Sequence, residues 1–233
     1  ISAPDETEKR ILSQHFETEN AYLTLAPNKL KQLSQFQKIE LRTDLFSTEE
    51  INKIISENKN QFLISYRKFT QKLPFQKGLI DWALELGPVP SELFHSDLIV
   101  SNHDDSILVA IEKFNQSNKF HQKLCPVIST WDDLLTGHQW QQQDPNNRSF
   151  LPRSATSEKR SKWRWYRELQ FAKQKLNFIQ GFQDFDDQPS LYEYLKSKNK
   201  PKENFAAVIG DPVHHSWTPY IQGQNFPLNV LAI

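Results

Sequence analysis

Short apolar runs recur along the chain from residue 21 to residue 182, and polar or turn-forming residues bound each of them. Each run has the length of a β-strand, and its apolar content suits a strand buried in a sheet. There are eight such runs: AYLTLAP, KIELRTDLF, FLISYRKF, LIDWALELG, DLIVSNHD, HQKLCPVIS, SFLPRS and LNFIQGF. The pattern predicts eight strands in this part of the chain.

Stretches with apolar residues at helical spacing lie between several of these runs: STEEINKIISENK, SILVAIEKFNQ and SEKRSKWRWYRELQFAKQ. In the first, Ser47 precedes Glu50 by three residues, which is the pattern of a capping box at a helix N-terminus. Alternating strands and helices predict a parallel sheet covered by helices. Eight strands predict a (β/α)8 TIM barrel, compact for a fold that typically takes about 250 residues. A doubly wound sheet is the alternative that periodicity leaves open.

The composition changes after residue 195, where KSKNKPKEN is basic, polar and contains a proline. Such a stretch is typical of a connection between domains, so we predict a barrel domain over 1–195 and a linker over 196–203. Residues 204–233 then begin with a short apolar strand and a Gly-Asp-Pro turn. About thirty residues are too few for an independent core, so this tail either docks on the barrel or is the truncated start of a second domain.

The overall composition excludes several classes of protein. Lys and Arg number 28, as do Asp and Glu, so no global field attracts nucleic acid or an acidic membrane. No apolar run is long enough to span a bilayer, and no signal-peptide pattern is present. Cys125 is the one cysteine, which excludes an intramolecular disulfide and fits a cytoplasmic protein. The sequence contains no methionine, which indicates that its start was trimmed or processed.

The chemistry should lie where the strands end, because the reacting groups of a (β/α)8 barrel lie at the carboxyl ends of its strands. Lys123 has the most specific chemistry there, since burial beside LCPV favours a neutral amine, which can form a Schiff base with a ketone. The alternative is that its ammonium reaches solvent from a strand end. His103, after the preceding strand, is the candidate proton carrier. Other polar residues at these ends are Glu40, Arg42, Arg67, Arg153 and, further on, Gln188.

Four motifs resemble, in their order along the chain, the motif series of type I 3-dehydroquinate dehydratase: IELRTD (39–44), ISYRK (64–68), SNHDDS (101–106) and KLCPVISTWDDLLT (123–136). The resemblance runs from residue 20 to residue 195. It implies a barrel that dehydrates 3-dehydroquinate to 3-dehydroshikimate through a lysine imine, without a cofactor. AVIGDPVHHSWTP, in the tail, resembles the first strand and loop of shikimate dehydrogenase. Bifunctional proteins join these two enzymes in this order, and the chain is similar to their front part.

The resemblance implies a role for each matching residue. Lys123 matches the imine-forming lysine, and His103 matches the histidine that acts as general acid and base. An imine supplies an electron sink for the carbanion, while the imidazole takes the proton and then helps the hydroxyl leave as water. The substrate-binding positions match Glu40, Arg42, Arg67, Arg167 (preferred to Arg164 for the carboxylate) and Gln188 in the barrel, and Ser216 and Thr218 in the tail.

The chain departs from the family pattern at three positions. Gln71 stands about where a carboxylate often supports the histidine, so His103 is expected to be less basic and less firmly oriented. Asp105 replaces an aromatic residue, and Asp184 stands about where the closing loop has a serine. These changes bear on substrate affinity and loop closure more than on the imine chemistry.

The expected partner is a small-molecule substrate, 3-dehydroquinate, with no nucleic acid and no membrane, and a homodimer stays open. The pair His214–His215 lacks the spacing of a metal site, so no metal is predicted. VIGDPV lacks the glycines of a dinucleotide fingerprint, which agrees with no cofactor. The alternative function is a non-catalytic relative that senses a pathway metabolite. Retention of both Lys123 and His103 favours the enzyme, because a sensor does not need the amine.

Overall fold

Eight parallel strands form one sheet whose order follows the chain. In the computed structural model they are β1 (Ala21–Thr24), β2 (Lys38–Arg42), β3 (Gln61–Tyr66), β4 (Leu79–Ala83), β5 (Asp97–Asn102), β6 (His121–Leu124), β8 (Arg148–Phe150) and β10 (Asn177–Gln180). The structure describes residues 20–68, 73–94, 97–103, 106–115, 120–154, 162–180, 187–198, 205–210 and 229–232. Each of the eight predicted strands is present.

The order β10-β1-β2-β3-β4-β5-β6-β8 confirms the (β/α)8 barrel. A doubly wound sheet is excluded, because its strand order reverses at a switch point and this order does not. Within the described residues no backbone ladder joins β8 to β10, and we call this place the seam. A side chain bridges it on one side: the Phe150 amide donates to Gln174 Oε1 at 3.1 Å, and Gln174 Nε2 donates to Asn177 Oδ1 at 2.9 Å.

Five α-helices lie among the described residues: α1 (Thr48–Glu57), α2 (Ile107–Asn115), α3 (Trp131–Gln143), α4 (Arg164–Gln170) and α5 (Leu191–Lys198). The predicted capping box is confirmed, since Ser47 Oγ accepts from the Glu50 amide at 3.2 Å and Glu50 accepts from the Ser47 amide at 2.8 Å. A second capping box, of Thr130 and Asp133, begins α3, which the pattern did not predict. Short 3-10 turns cover Pro27–Gln35, Leu84–Leu86 and Ser91–Leu93.

The apolar residues form two layers, one on each side of the sheet. The larger layer lies between strands and helices and includes Ile51 of α1, Phe114 of α2 and Trp140 of α3. The smaller layer fills the inside of the barrel and consists of Tyr22, Leu63, Ile99, Cys125, Leu151, Leu176 and Phe178, with Leu79 packed against it. Because side chains alternate along a strand, residues two positions further along lie on this same inner face. These positions carry the polar side chains described below.

The remaining short strands lie outside the eight-stranded sheet. β7 (Val127–Ile128) pairs in parallel with β9 (Arg153–Ser154), and β11 (Phe205–Val208) pairs in parallel with β12 (Asn229–Ala232). The strand predicted at the start of the tail is therefore present as β11. Helix α5 continues to Lys198 and so includes the first three residues of the predicted linker. No helix in the described part of the chain is long and apolar enough to cross a membrane.

Candidate active site

A ring of buried polar side chains lies inside the barrel, one layer above the inner apolar cluster. Several members stand two residues after an apolar one, as Thr24 follows Tyr22 and Ser101 follows Ile99, so they point the same way and lie nearer the carboxyl ends of the strands, whereas Lys123 precedes Cys125 of the cluster by two residues. The ring consists of Thr24, Glu40, Ser65, Asp81, Ser101, Lys123 and Gln180. In (β/α)8-barrel enzymes the reacting groups lie at this end of the barrel.

Lys123 is buried in this ring and is paired with a carboxylate. Its side chain is 2% exposed, so it does not reach solvent from the strand end. Its Nζ contacts Asp81 Oδ2 of β4 and lies 4.2 Å from the centre of the Phe178 ring. The sequence pattern did not reveal this carboxylate. The amine must separate from it before it can attack a ketone.

Asp81 also binds Arg67, which follows β3. Arg67 Nη2 lies 3.0 Å from Asp81 Oδ2 and 3.7 Å from Glu40 Oε1. Burial alone would raise the pKa of Asp81, but Lys123 and Arg67 outweigh it and hold the pKa far below its usual range. Asp81 is thus a fixed negative charge between two cations. Glu40, close by, accepts hydrogen bonds from Thr24 Oγ1 at 2.5 Å and from Ser65 Oγ at 2.6 Å.

His103 follows β5, the strand beside that of Lys123. Arg67 Nη1 lies beside both ring nitrogens, 2.9 Å from Nδ1 and closer still to Nε2. Burial, followed by the charges of Arg67 and Lys123, lowers the pKa of His103 well below its ordinary value. The imidazole is therefore neutral at pH 7 and able to accept a proton. One charged cluster thus joins His103 to Lys123 through Arg67 and Asp81.

A carboxylate supports His103, and it comes from the turn after β4 and not from the region of Gln71. The Glu85 side chain accepts from the backbone amide of His103, and its Oε2 lies 3.3 Å from Nδ1. Glu85 belongs to the 3-10 turn after β4. Gln71, the position where the sequence suggested that such a carboxylate was missing, lies outside the described residues, as do Asp105 and Asp184.

Two further arginines stand around this cluster. Arg42, two residues after Glu40 on β2, forms a two-point ion pair with Asp44, with Nε–Oδ1 at 3.1 Å and Nη2–Oδ2 at 2.7 Å. Arg153 of β9 donates from Nε to the Cys125 carbonyl at 2.9 Å and from Nη2 to the His103 carbonyl. The Arg42 side chain is 26% exposed, so it lies nearer to solvent than Arg67 at 13% and Glu40 at 2%.

Arg167 and Gln188 are the remaining predicted binding residues of the barrel. Arg167, buried in α4, donates from Nη1 to the Asp187 carbonyl at 2.6 Å. Gln188, the next residue, donates from Nε2 to Thr24 Oγ1 at 2.9 Å, which places it one hydrogen bond from Glu40. Arg164 is instead bound to Glu193 of α5, with Nε–Oε2 at 2.8 Å. The preference for Arg167 as the carboxylate ligand stays a prediction, and Arg164 has a buried partner of its own.

Several buried polar atoms of the site make no hydrogen bond. Among the described residues, five buried side-chain atoms have no partner, and three of them belong to site residues: Asp81 Oδ1, Arg167 Nε and Gln188 Oε1. A buried polar atom without a partner costs about 1–3 kcal/mol. Such atoms at one end of a barrel mark groups that a polar ligand can satisfy.

Sequence reasoning missed Asp81 and Glu85. Asp81 had a signal like that of Lys123, because it is a charged residue in the middle of the apolar run LIDWA. Glu85 had none, since its role depends on a contact with a residue 18 positions away. Burial raises the pKa of Cys125, against the opposing effects of Lys123 and Arg167, so its thiol stays neutral in the inner apolar cluster. Cys125 is therefore a small buried core residue.

Within the described ranges, no group of three or more His, Cys, Asp and Glu side chains could hold a metal ion. The pair His214–His215 lies outside those ranges, and so do the predicted tail ligands Ser216 and Thr218.

The barrel resembles a solved enzyme structure. The sequence itself matches no protein-family model and no curated protein. The fold is similar to that of a type I 3-dehydroquinate dehydratase from Clostridium difficile, solved with covalently modified comenic acid. The TM-score is 0.56 and the identity 15%, and the similarity covers 80% of this chain and 93% of that one. At this identity the similarity establishes the fold.

Proposed function

We propose that the chain dehydrates 3-dehydroquinate to 3-dehydroshikimate through an imine on Lys123. The observation that carries the proposal is a buried lysine amine in one charged cluster with a neutral histidine, at the carboxyl end of the barrel. The Clostridium difficile protein of the same fold bears the name of this activity. Four sequence motifs in the order of that family, IELRTD, ISYRK, SNHDDS and KLCPVISTWDDLLT, add independent support.

The residues present can carry each step. The Lys123 amine adds to the ketone, and His103 returns the proton that it took from the lysine as water leaves, which gives a protonated imine and a neutral imidazole. His103 then takes the proton alpha to the imine carbon, and the electron pair moves into an enamine. The imidazolium returns the proton to the departing β-hydroxyl, which leaves as water. Hydrolysis of the conjugated imine releases the product and restores the amine.

The first step requires that Lys123 lose a proton. Asp81 is already paired with two cations, so we assign the neutral imidazole of His103 as the group that accepts it. Arg67 already lies between His103 and Asp81 and has acceptors on both sides. Movement of Arg67 toward Asp81 on substrate binding would free the imidazole to act as the base.

The substrate carboxylate needs a cation with free donors. Arg167 meets this requirement, because its Nε makes no hydrogen bond among the described residues and its Nη1 is fixed by the Asp187 carbonyl. The ring hydroxyls need acceptors and donors, and Glu40, Arg42 and Gln188 lie on the adjoining side of the barrel. These assignments support a cyclic polyhydroxylated carboxylate as the ligand class.

A second function is a binder of the same metabolite without catalysis. The ion pair between Lys123 and Asp81 favours it, because a paired ammonium binds an anion but does not attack a ketone. The two functions differ in whether a covalent adduct forms.

Borohydride trapping separates the two functions. We expect the protein incubated with 3-dehydroquinate and borohydride to gain the mass of a reduced adduct on a peptide containing Lys123. The variant Lys123→Ala should gain none, whereas Lys53→Ala, at an exposed lysine of α1, should be modified like the wild type. Binding of the substrate with no adduct and no turnover in the wild type would leave the metabolite binder as the function.

For the tail we propose that residues 204–233 bind a ligand as the similar strand and loop of shikimate dehydrogenase do. AVIGDPVHHSWTP supports this, and Ser216 and Thr218 are the residues that would bind the ligand. Short hydroxyl side chains two residues apart after such a turn can both face one carboxylate. A loss of shikimate binding in Ser216→Ala, with barrel activity unchanged, would support this assignment, and equal binding would reject it.

A further inference from the structure

We propose that Glu85 is the positioning residue of His103: its carboxylate holds the imidazole as the Nδ1–H tautomer and leaves Nε2 to move the substrate's proton. The proposal rests on the dehydration proposed above and goes beyond it, because it assigns the support of the base to a turn after β4. Two contacts define it. Glu85 Oε1 accepts from the His103 backbone amide, and Oε2 lies 3.3 Å from Nδ1.

The tautomer follows from the two neighbours of the ring. Arg67 Nη1 carries only donors and lies closer to Nε2 than to Nδ1. A nitrogen that faces a donor must offer its lone pair, so the proton of the neutral ring belongs on Nδ1. Glu85 offers only acceptors and faces Nδ1, which fits that proton. The acceptor at Nδ1 and the donor that lies nearer to Nε2 therefore favour the same tautomer.

The turn that carries Glu85 is held by its own hydrogen bonds. The Gly87 amide donates to the Leu84 carbonyl at 3.1 Å, and Gly87 adopts a φ of 110°, which a side chain would strain. The Trp82 indole donates to the Gly87 carbonyl at 3.0 Å, so a buried ring of β4 fixes the end of the turn. A turn fixed in this way presents the carboxylate in one place, which is what a positioning group requires.

The proposed role predicts a change in rate more than in binding. His103 is faced by charged groups from several elements: Arg67 after β3, Asp81 of β4, Glu85, Lys123 of β6 and Arg153 of β9. Removing the carboxylate leaves cations in excess around the ring, so the pKa of His103 falls further and the base weakens. Loss of a group that orients a reacting side chain typically costs about 10–100-fold in activity.

Two variants and one control test the proposal. Glu85→Gln keeps the shape and one acceptor but loses the charge, and Glu85→Ala loses both. We expect kcat to fall about tenfold to a hundredfold, more in Glu85→Ala, with KM changed less than about twofold. The acid limb of the rate against pH should move to lower pH in Glu85→Gln. The control Glu92→Gln changes an exposed glutamate in the next turn and should leave both constants unchanged.

Nitrogen NMR of labelled histidines provides a readout that does not need turnover. In the wild type we expect His103 as the Nδ1–H tautomer, and in Glu85→Ala we expect a substantial share of the Nε2–H tautomer. An unchanged tautomer together with an unchanged kcat in both variants would overturn the proposal, as would a raised KM with a normal kcat. A tautomer that depends on Glu85 in a protein that forms no imine would support the positioning role and reject the dehydratase.

Discussion

Asp81 offers the sharpest test of how the site is held together, because one carboxylate faces two cations in the barrel. The variant Asp81→Asn leaves Lys123 and Arg67 buried without that charge, with side chains 2% and 13% exposed. At the 3.0 Å that separates Arg67 from Asp81, attraction between unit charges is about 5 kcal/mol for an effective dielectric of about 20. Desolvation offsets much of this, and removal of one partner of a buried pair typically costs about 3–5 kcal/mol.

We therefore expect Asp81→Asn to lower the free energy of unfolding by about 3–5 kcal/mol at pH 7, measured by urea denaturation. The double variant Asp81→Asn with Lys123→Met should recover about 2 kcal/mol relative to the sum of the single changes, because both charges leave together. A double variant whose loss equals that sum within about 0.5 kcal/mol would refute the pairing.

The same pair gives stability a pH dependence of known sign. Lys123 and Arg67 lower the pKa of folded Asp81 against the effect of burial. The stability that Asp81 contributes is therefore fully present above the pKa of an unfolded aspartate, about 4, and is lost as the pH falls below that value toward the folded pKa. The difference in stability between wild type and Asp81→Asn should stay constant from pH 7 to pH 5 and shrink below pH 4. A difference that grows on acidification would contradict the assignment.

Three other changes test the site and the barrel. Lys123→Ala should abolish turnover while product binding stays measurable by calorimetry, because the arginine contacts persist; normal turnover would reject the imine. His103→Ala should slow turnover about 10²–10⁴-fold and accumulate a covalent adduct visible by mass spectrometry, and an unchanged rate would remove it from the mechanism. Gly137→Ala should destabilise the fold by about 1–3 kcal/mol in a thermal melt, since an added Cβ overlaps the Phe150 ring; the exposed control Gln139→Ala should change it by less than about 0.5 kcal/mol.

The strands could be predicted because parallel strands buried on both faces are short and apolar in any context. The runs LIDWALELG and DLIVSNHD contain β4 and β5. Helix α3 was not predicted, because WDDLLTGHQWQQQ is polar on much of its surface. Its first residues also belong to the motif KLCPVISTWDDLLT. Its N-terminal signal, Thr130 three residues before Asp133, was present in the sequence.

The lysine and the histidine of the site could be predicted, but their electrostatic partners could not. Lys123 was identified as a buried amine, whereas its charge state depends on Asp81, which is 42 residues away in the sequence and adjacent in the barrel. The family pattern places the carboxylate that supports the histidine near Gln71. In this chain the carboxylate beside the imidazole is Glu85, and only the closure of the strands into a barrel brings it there.

At the seam between β8 and β10 no backbone ladder joins the two sheet edges within the described residues, and sheet edges are where a sheet opens first. Lys123 lies on β6, beside one edge, and its ammonium rests on the ring of Phe178 in β10, at the other. One cation thus links β6 to β10 across the seam. A substrate that draws the ammonium away from that ring loosens this tie, so we expect the backbone amides of β8 and β10 to exchange with deuterium faster once the adduct has formed. Formation of the adduct in the active site could then be followed by the hydrogen exchange of these two strands.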